Sequence, residues 1–375
     1  MPKLISSLKG GVVSLEPKKP LRGKILLSYT TLPFLGKKRV LGGHTNQWEC
    51  IEIANSFLEK GYAVDVIDST NNTFEPKHDY SYFIDVHSNL DRIAPLLNSD
   101  CIKILHATTS HWVFQNYAEY ERLLALQKRR GVSLLPRRQL PPSQSVEIAD
   151  EITLLGNEIT ETTYSYVKKS LTRIPLSTTH EFPSPKDKDF EKAQKSFLWL
   201  GGVGMVHKGL DLVLEAFASM PEYNLIICGK VKNESDFTTV YHKELFGLSN
   251  IKVVGLVDPG SQSFEEIRQS TIALLYPSCS EGQAGSVVTC MHAGLIPVVS
   301  IHSGVDVHEF GTILKENSVE EVKEAVRTLA SSSTDEIRQR SIASWEYARK
   351  HHTKEIFGVE YRKFVEYLEK KYHSS

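Results

Sequence analysis

Four stretches of this chain carry residue types and spacings suited to chemistry. Gly201-Gly202-Val203-Gly204 runs closely into Lys208-Gly209. Glycines let backbone N–H groups approach a phosphate, a helix N-terminus favours an anion, and a lysine adds a cation. Further on, Pro277-Ser278-Cys279-Ser280-Glu281-Gly282-Gln283-Ala284-Gly285-Ser286 puts one carboxylate ahead of a run of small residues. Glu281 is placed to accept hydrogen bonds from sugar hydroxyls, and Gly282, Ala284, Gly285 and Ser286 leave main-chain N–H groups free for phosphate. Gly42-Gly43-His44-Thr45-Asn46 is a glycine turn ahead of a helix, and His106 ends an apolar run. Each also has a plainer reading: a tight βα turn with an exposed lysine, a carboxylate against a helix dipole, an N-cap, a hydrogen-bonded strand-end histidine. The glycine pattern is neither a Walker loop nor a dinucleotide GxGxxG.

Other chemistries find less support. The five cysteines are scattered, their number is odd, and none forms CxxC or a Cys/His zinc spacing. Asp187-Lys188-Asp189 spells DxD but sits in a Pro-rich stretch rather than at a strand end, so no metal site is expected. Lys+Arg total 44 and Asp+Glu 45, giving a formal net charge of −1, which argues against a nucleic-acid partner. The loop with Lys128, Arg129, Arg130, Arg137 and Arg138 reads first as a solvated charge run. Its second reading is a patch for an anionic acceptor or lipid headgroups at a membrane surface. No apolar run approaches the ~20 residues of a membrane span, and the start lacks the apolar core of a signal peptide. A cytoplasmic protein is expected, with the inner face of the membrane as an alternative place of work.

The elements that must position these residues follow from periodicity. The chain has 375 residues, 41% hydrophobic and 24% charged, an ordinary globular composition that suggests two domains. Residues 1–22 read as a polar extension. Short apolar runs at 24–29, 62–67, 82–86, 102–105 and 151–155 alternate with helical patterns at 46–60, 116–130 and 158–169. That is a parallel α/β series. Period is lost over 175–195, where prolines cluster. A second series follows, with strands at 197–200, 225–228, 251–254, 272–276 and 296–299 and a mostly helical tail over 319–372. The expectation is α/β: two Rossmann-like doubly wound domains facing a cleft, over 23–180 and 181–350.

In their order and spacing, the pieces from Phe197 to about Ser300 resemble the donor-binding domain of GT-B fold, family-4 retaining glycosyltransferases (group 1 glycosyl transferases). They are His207-Lys208-Gly209-Leu210-Asp211, the Leu225–Gly229 run, Gly255-Leu256-Val257, and Pro277-Ser278 through Glu281-Gly282 to Ala293-Gly294-Leu295-Ile296-Pro297-Val298-Val299. The resemblance implies a diphosphate-binding and catalytic role for Lys208, a donor-sugar role for Glu281, and phosphate contacts from Gly202, Gly204 and the 282–286 stretch. It implies a cleft-facing loop at Gly42 and Gly43, a catalytic-site place for His106, and a C-terminal helix (351–375) packing back on the N-terminal acceptor domain. Two departures stand out. The family's second glutamate, which holds the ribose, is replaced by Thr289, and the arginine usual shortly before Lys-Gly gives way to Gly202 or Val203. The expected activity is metal-independent, retaining transfer of a sugar, of hexosyl type, as in polysaccharide biosynthesis. A nucleotide diphosphate sugar is the co-substrate, no separate cofactor is needed, and the acceptor is a glycan, lipid-linked or small molecule. The rivals are an epimerase or phosphorylase on the same fold, and a non-catalytic sugar-nucleotide or glycan binder.

Overall fold

The computed structural model describes residues 8–9, 11–35 and 44–373. The N-terminal domain is built on β1 (Leu8–Lys9), β2 (Val12–Leu15), β3 (Gly23–Tyr29), β4 (Tyr62–Asp68), β5 (Tyr82–Asp85), β6 (Ile102–Ala107), β7 (Glu151–Leu154) and β8 (Leu171–Arg173). They form one sheet in the order β1-β2-β4-β3-β5-β6-β7-β8. From β4 to β8 every pairing is parallel. Residues 1–22 are therefore not simply a polar extension. Val12–Leu15 pairs antiparallel with β4, and Val13 and Leu15 are buried while Val12 and Ser14 are not. A four-residue alternation is too short to stand out from its Lys- and Pro-rich surroundings.

The second domain follows with β9 (Ser196–Gly201), β10 (Asn224–Gly229), β11 (Ile251–Gly255), β12 (Ala273–Tyr276), β13 (Ile296–Ser300) and β14 (Thr312–Leu314). The order is β11-β10-β9-β12-β13-β14, all parallel. The strands' apolar residues are largely buried, as expected for a sheet covered by helices on both faces. The strand order reverses between β9 and β12, the switch point beyond whose strand ends sheets of this kind bind ligands. Both motifs of this domain sit there: Gly201–Lys208 leaves β9 and 277–285 leaves β12.

Helical predictions hold with shifted ends. The expected 116–130 helix begins at Trp112, where the His111 ring accepts from Val113 N–H, and stops at left-handed Gly131. The expected 158–169 helix closes after Thr162, and turns carry the rest. The tail is three helices, Val319–Ser331, Thr334–His351 and Lys354–His373. The last returns across the domain boundary and lays Phe357, Tyr361, Phe364 and Leu368 into the core around Ile53, Ala54 and Phe57 of the Asn46–Leu58 helix. Tyr62 OH donates to Glu369 at 2.6 Å at its far end.

The basic loop departs most from its sequence reading. Arg129 pairs with Asp211 at 2.6 Å and with Glu215 at 3.0 Å. Arg130 pairs with Glu215 and Glu244, its guanidinium over the Tyr241 ring, and Arg137 pairs with Asp236 at 2.6 Å. All the carboxylates belong to the C-terminal domain. The same helix sends Leu123 and Leu126 into that domain's core beside Leu210 and Val213. The charge run is thus an inter-domain clasp, because acidic residues far away in sequence face it in space. Asp211 is fully buried, with Arg122 at 3.8 Å as well. Asp211→Ala should cost about 3 kcal/mol in urea unfolding, since it leaves buried Arg122 without its partner. Arg137→Ala, in a part-exposed pair, should cost below ~1 kcal/mol. Equal small losses would show that the clasp does not hold the domains.

Candidate functional site

Lys208 and Glu281 meet, although 73 residues separate them. Lys208 Nζ donates to Glu281 Oε1 at 2.7 Å and to the Tyr276 hydroxyl at 2.7 Å. Tyr276 OH donates to the same Oε1 at 2.8 Å. An ammonium has three donors, so one remains on Lys208, and among the described residues no hydrogen bond falls on Glu281 Oε2. Both side chains are 11% exposed, enough to touch a ligand and little enough to keep water from screening them. Tyr276 ends β12 and was legible in the sequence only as a strand residue; nothing local marks its hydroxyl as the bridge.

The 277–285 turn is fixed by both domains. Ser110 Oγ donates to Glu281 O at 2.6 Å, and Thr160 Oγ1 to Gly282 O at 2.8 Å. Gly282 lies so close to the N-terminal domain that a Cβ would stand 2.3 Å from Thr108 O. It serves as a contact with no room for a side chain. Ala284 N–H is taken by Ser303 O at 2.9 Å. Among the described residues, no hydrogen bond takes the N–H groups of the expected phosphate donors Gly282, Gly285 and Ser286, the last two at the start of the Gly285–His292 helix. Thr289 lies further along that helix, largely buried.

The β9 loop is arranged differently from its expected role. The buried Glu234 carboxylate accepts from Gly204 N–H at 2.6 Å and from Met205 N–H at 3.1 Å. These amides already serve a carboxylate from the loop after β10, so Gly204 supplies a left-handed turn (φ +91°) instead of a phosphate donor. Gly202 borders open space. Gly42 and Gly43 lie outside the described residues. His44, beside them, is held below the usual imidazole range by burial and then by the charges of Lys208, Lys230 and Arg138. Lys208, Lys230 and Arg138, from three separate segments, are therefore near enough for their charges to act on His44.

His106 turns away from it. Fully buried, it points among Tyr29, Phe357 and Tyr361, with Nδ1 2.7 Å from Thr153 Oγ1. Burial alone brings its pKa down to about 4. Successive strand residues face opposite sides, and it is Leu105 and Ala107 that line a cavity of about 390 Å³ in the N-terminal domain. Thr108, Thr109, Ser110 and His111 continue that wall up to the Glu281 turn. Among the described residues, no Lys, Arg, Asp or Glu lines the cavity.

Among the described residues, no group of three or more His, Cys, Asp or Glu is arranged to hold a metal, and no helix is long and apolar enough to cross a membrane. In the DxD stretch, Asp189 caps a short helix and Lys188 is buried against the Arg268 and Thr271 carbonyls. All five cysteines are buried and free.

The strand order and the paired lysine and glutamate define a doubly wound two-domain protein with a candidate site at the switch point of its second sheet. Residues 194–332 match the family model described as Glycosyl transferases group 1. No curated protein sequence matches the chain. Among solved structures, sucrose-phosphate synthase from Thermosynechococcus elongatus superposes with a TM-score of 0.65 at 13% identity, covering 92% of this chain and 99% of that one. Anabaena HepE, solved with UDP-glucose, gives a TM-score of 0.60 at 13% identity, covering 92% and 100%. WaaG, described as a glycosyltransferase involved in lipopolysaccharide biosynthesis, gives 0.55 at 15% identity, covering 94% and 100%. The chain has the GT-B fold, and within its C-terminal domain residues 194–332 are similar to the group 1 glycosyl transferases.

Burial pushes the Glu281 carboxyl up, but Lys208, then His207 and Arg138, bring it down to about 2. An unfolded glutamate titrates near ~4.3. The folded value is the lower one, so the pair contributes stability that is present above about pH 4.5 and lost as pH falls toward 2. Urea midpoints should therefore fall more steeply across that window in the wild type than in Glu281→Gln. Parallel profiles would mean that the carboxylate is not held ionised by its neighbours.

Proposed function

We propose that this protein is a retaining glycosyltransferase that moves a sugar from a nucleotide diphosphate sugar to a glycan, lipid-linked or small-molecule acceptor. The observation that carries the reading is the Lys208–Tyr276–Glu281 triangle at the switch point of the second sheet. Lys208 directs its third proton at the diphosphate, joined by the open N–H groups of Gly285 and Ser286 at a helix N-terminus. Glu281 offers Oε2 to a donor-sugar hydroxyl while Oε1 stays with Lys208 and Tyr276.

As the anomeric C–O bond breaks, negative charge grows on the departing phosphate. Fixed cations and amides in a poorly hydrated site stabilise it without reorganising, so the step needs no metal. Retention follows if the acceptor hydroxyl attacks from the face the phosphate leaves. The acceptor oxygen bonds to the anomeric carbon, and its proton passes to a phosphate oxygen. This route needs no pair of side-chain carboxylates of the glycosidase kind. The uncharged cavity beside Thr108–Ser110 is the natural place for the acceptor, with hydroxyl and imidazole groups for its polar edge and Trp112 for an apolar sugar face. The UDP-glucose in HepE makes UDP-sugars the first donors to try.

Thermal-shift screening of UDP-, GDP-, ADP- and dTDP-sugars should find a stabilising donor, and transfer should require an added acceptor. Lys208→Ala should lower transfer by about 100-fold or more, as loss of one transition-state donor does. Wild-type turnover in that variant, once it is shown to be folded, would remove the phosphate role. Glu281→Gln should depress kcat while leaving affinity for the bare nucleoside diphosphate nearly unchanged. Equal losses in both would move Glu281 away from the sugar.

A further inference from the structure

We propose that Arg138, a residue of the N-terminal domain, is a second cation on the donor's diphosphate, so that the phosphate site is complete only when both domains contribute. The inference rests on the donor reading above and adds a residue from the opposite domain.

Arg138 differs from its neighbours on the basic loop. Arg129, Arg130 and Arg137 all end on carboxylates. Among the described residues the Arg138 side chain makes no ion pair or hydrogen bond, and its Nε is buried without a partner. A guanidinium partly withdrawn from water with no carboxylate in direct contact is costly, so this arrangement is suited to an anion that arrives from outside.

Its position is not accidental slack. The buried Glu119 carboxylate accepts from Arg138 N–H at 3.0 and 3.1 Å, and Gln115 Nε2 donates to Arg138 O at 2.6 Å. Arg137 N–H and the Gln139 amide bind the same carboxylate. The backbone is thus pinned by the Trp112–Arg130 helix, and the side chain extends across the domain boundary onto the β9 loop. A Cβ on Gly204 would stand 2.6 Å from Arg138 Cγ; the glycine leaves space for the arginine stem. The charge of Arg138 is felt, together with that of Lys208, by both Glu281 and His44. Two cations from opposite domains thus act on the same neighbourhood, with the Arg138 stem seated on the Gly204 turn that leads to Lys208. The compact ammonium of Lys208 acts as a point charge, and the planar fork of Arg138 suits two oxygens of a phosphate at once.

The test is calorimetry on the full chain with UDP, GDP, ADP and dTDP, taking forward the tightest binder and its parent nucleoside. Arg138→Ala should weaken the diphosphate by roughly 10- to 100-fold, the worth of a charge-assisted pair of hydrogen bonds. The nucleoside should bind as to the wild type. Arg138→Lys should recover part of the loss, because it keeps the charge without the fork. Arg138→Gln, closer in bulk, is judged in place of Ala if the Ala variant melts early. Wild-type diphosphate affinity in folded Arg138→Ala or Arg138→Gln, with Lys208→Ala impaired, would overturn the role of Arg138 and leave the donor reading standing. An equal loss for nucleoside and diphosphate would also overturn it, by making the residue structural. If no nucleoside diphosphate binds the wild-type protein, both readings fall.

Discussion

The main chain of the 281–284 turn is the constraint on which this structure depends. Its carbonyls accept from Ser110 and Thr160 of the N-terminal domain. Its Glu281 and Ala284 N–H groups are taken by the His302 and Ser303 carbonyls of the C-terminal domain. The Gln283 side chain accepts from Leu176 N–H in the connecting segment and donates to Gly304 O. A buried main chain must satisfy its polar groups, and here it does so by recruiting both domains and the linker. The consequence is chemical as well as mechanical. The turn that joins the domains also carries Glu281, so the carboxylate is placed by the same bonds that set the distance between the sheets.

A charged pair at such a seam is stable only with good geometry, since desolvation opposes it. Tyr276 supplies what the pair lacks, a neutral donor that fills the second direction on Glu281 Oε1 and an acceptor for Lys208. The clasp of Arg129 and Arg130 on Asp211, Glu215 and Glu244 applies the same logic on the flank. It turns the Trp112–Arg130 helix into a shared element whose apolar residues enter the core of one domain while its chain belongs to the other. The returning C-terminal helix does the reverse, leaving the second domain to cover the first.

Much of the fold was legible because it is written locally. Buried parallel strands need continuous apolar runs, and their covering helices need an apolar stripe. Both periods survive in single segments such as Phe197–Leu200 and Leu210–Phe217. What went unread was short or unremarkable: the four-residue Val12–Leu15 strand, and the three-residue strands at Leu171–Arg173 and Thr312–Leu314. His106 was misplaced for a related reason. Strand residues alternate faces, and the sequence does not say which face of β6 meets the cleft and which meets the Phe357–Tyr361 helix.

The sequence by itself determined two doubly wound domains, and it singled out Lys208 and Glu281 through the order of glycine, lysine and carboxylate motifs at strand ends. Tertiary structure alone decided the partners. Lys208 and Glu281 face each other through Tyr276, Glu234 occupies the amides of the β9 loop, and Arg129 and Arg130 close on acidic residues of the other domain. Among the described residues the Arg138 side chain stays unpaired, its stem against Gly204. The physical reason is range. Periodicity and capping act over a few residues and leave a local imprint. An ion pair depends on which charges lie within about 4 Å, and for residues 73 or 82 apart in the chain only the packed sheets determine that.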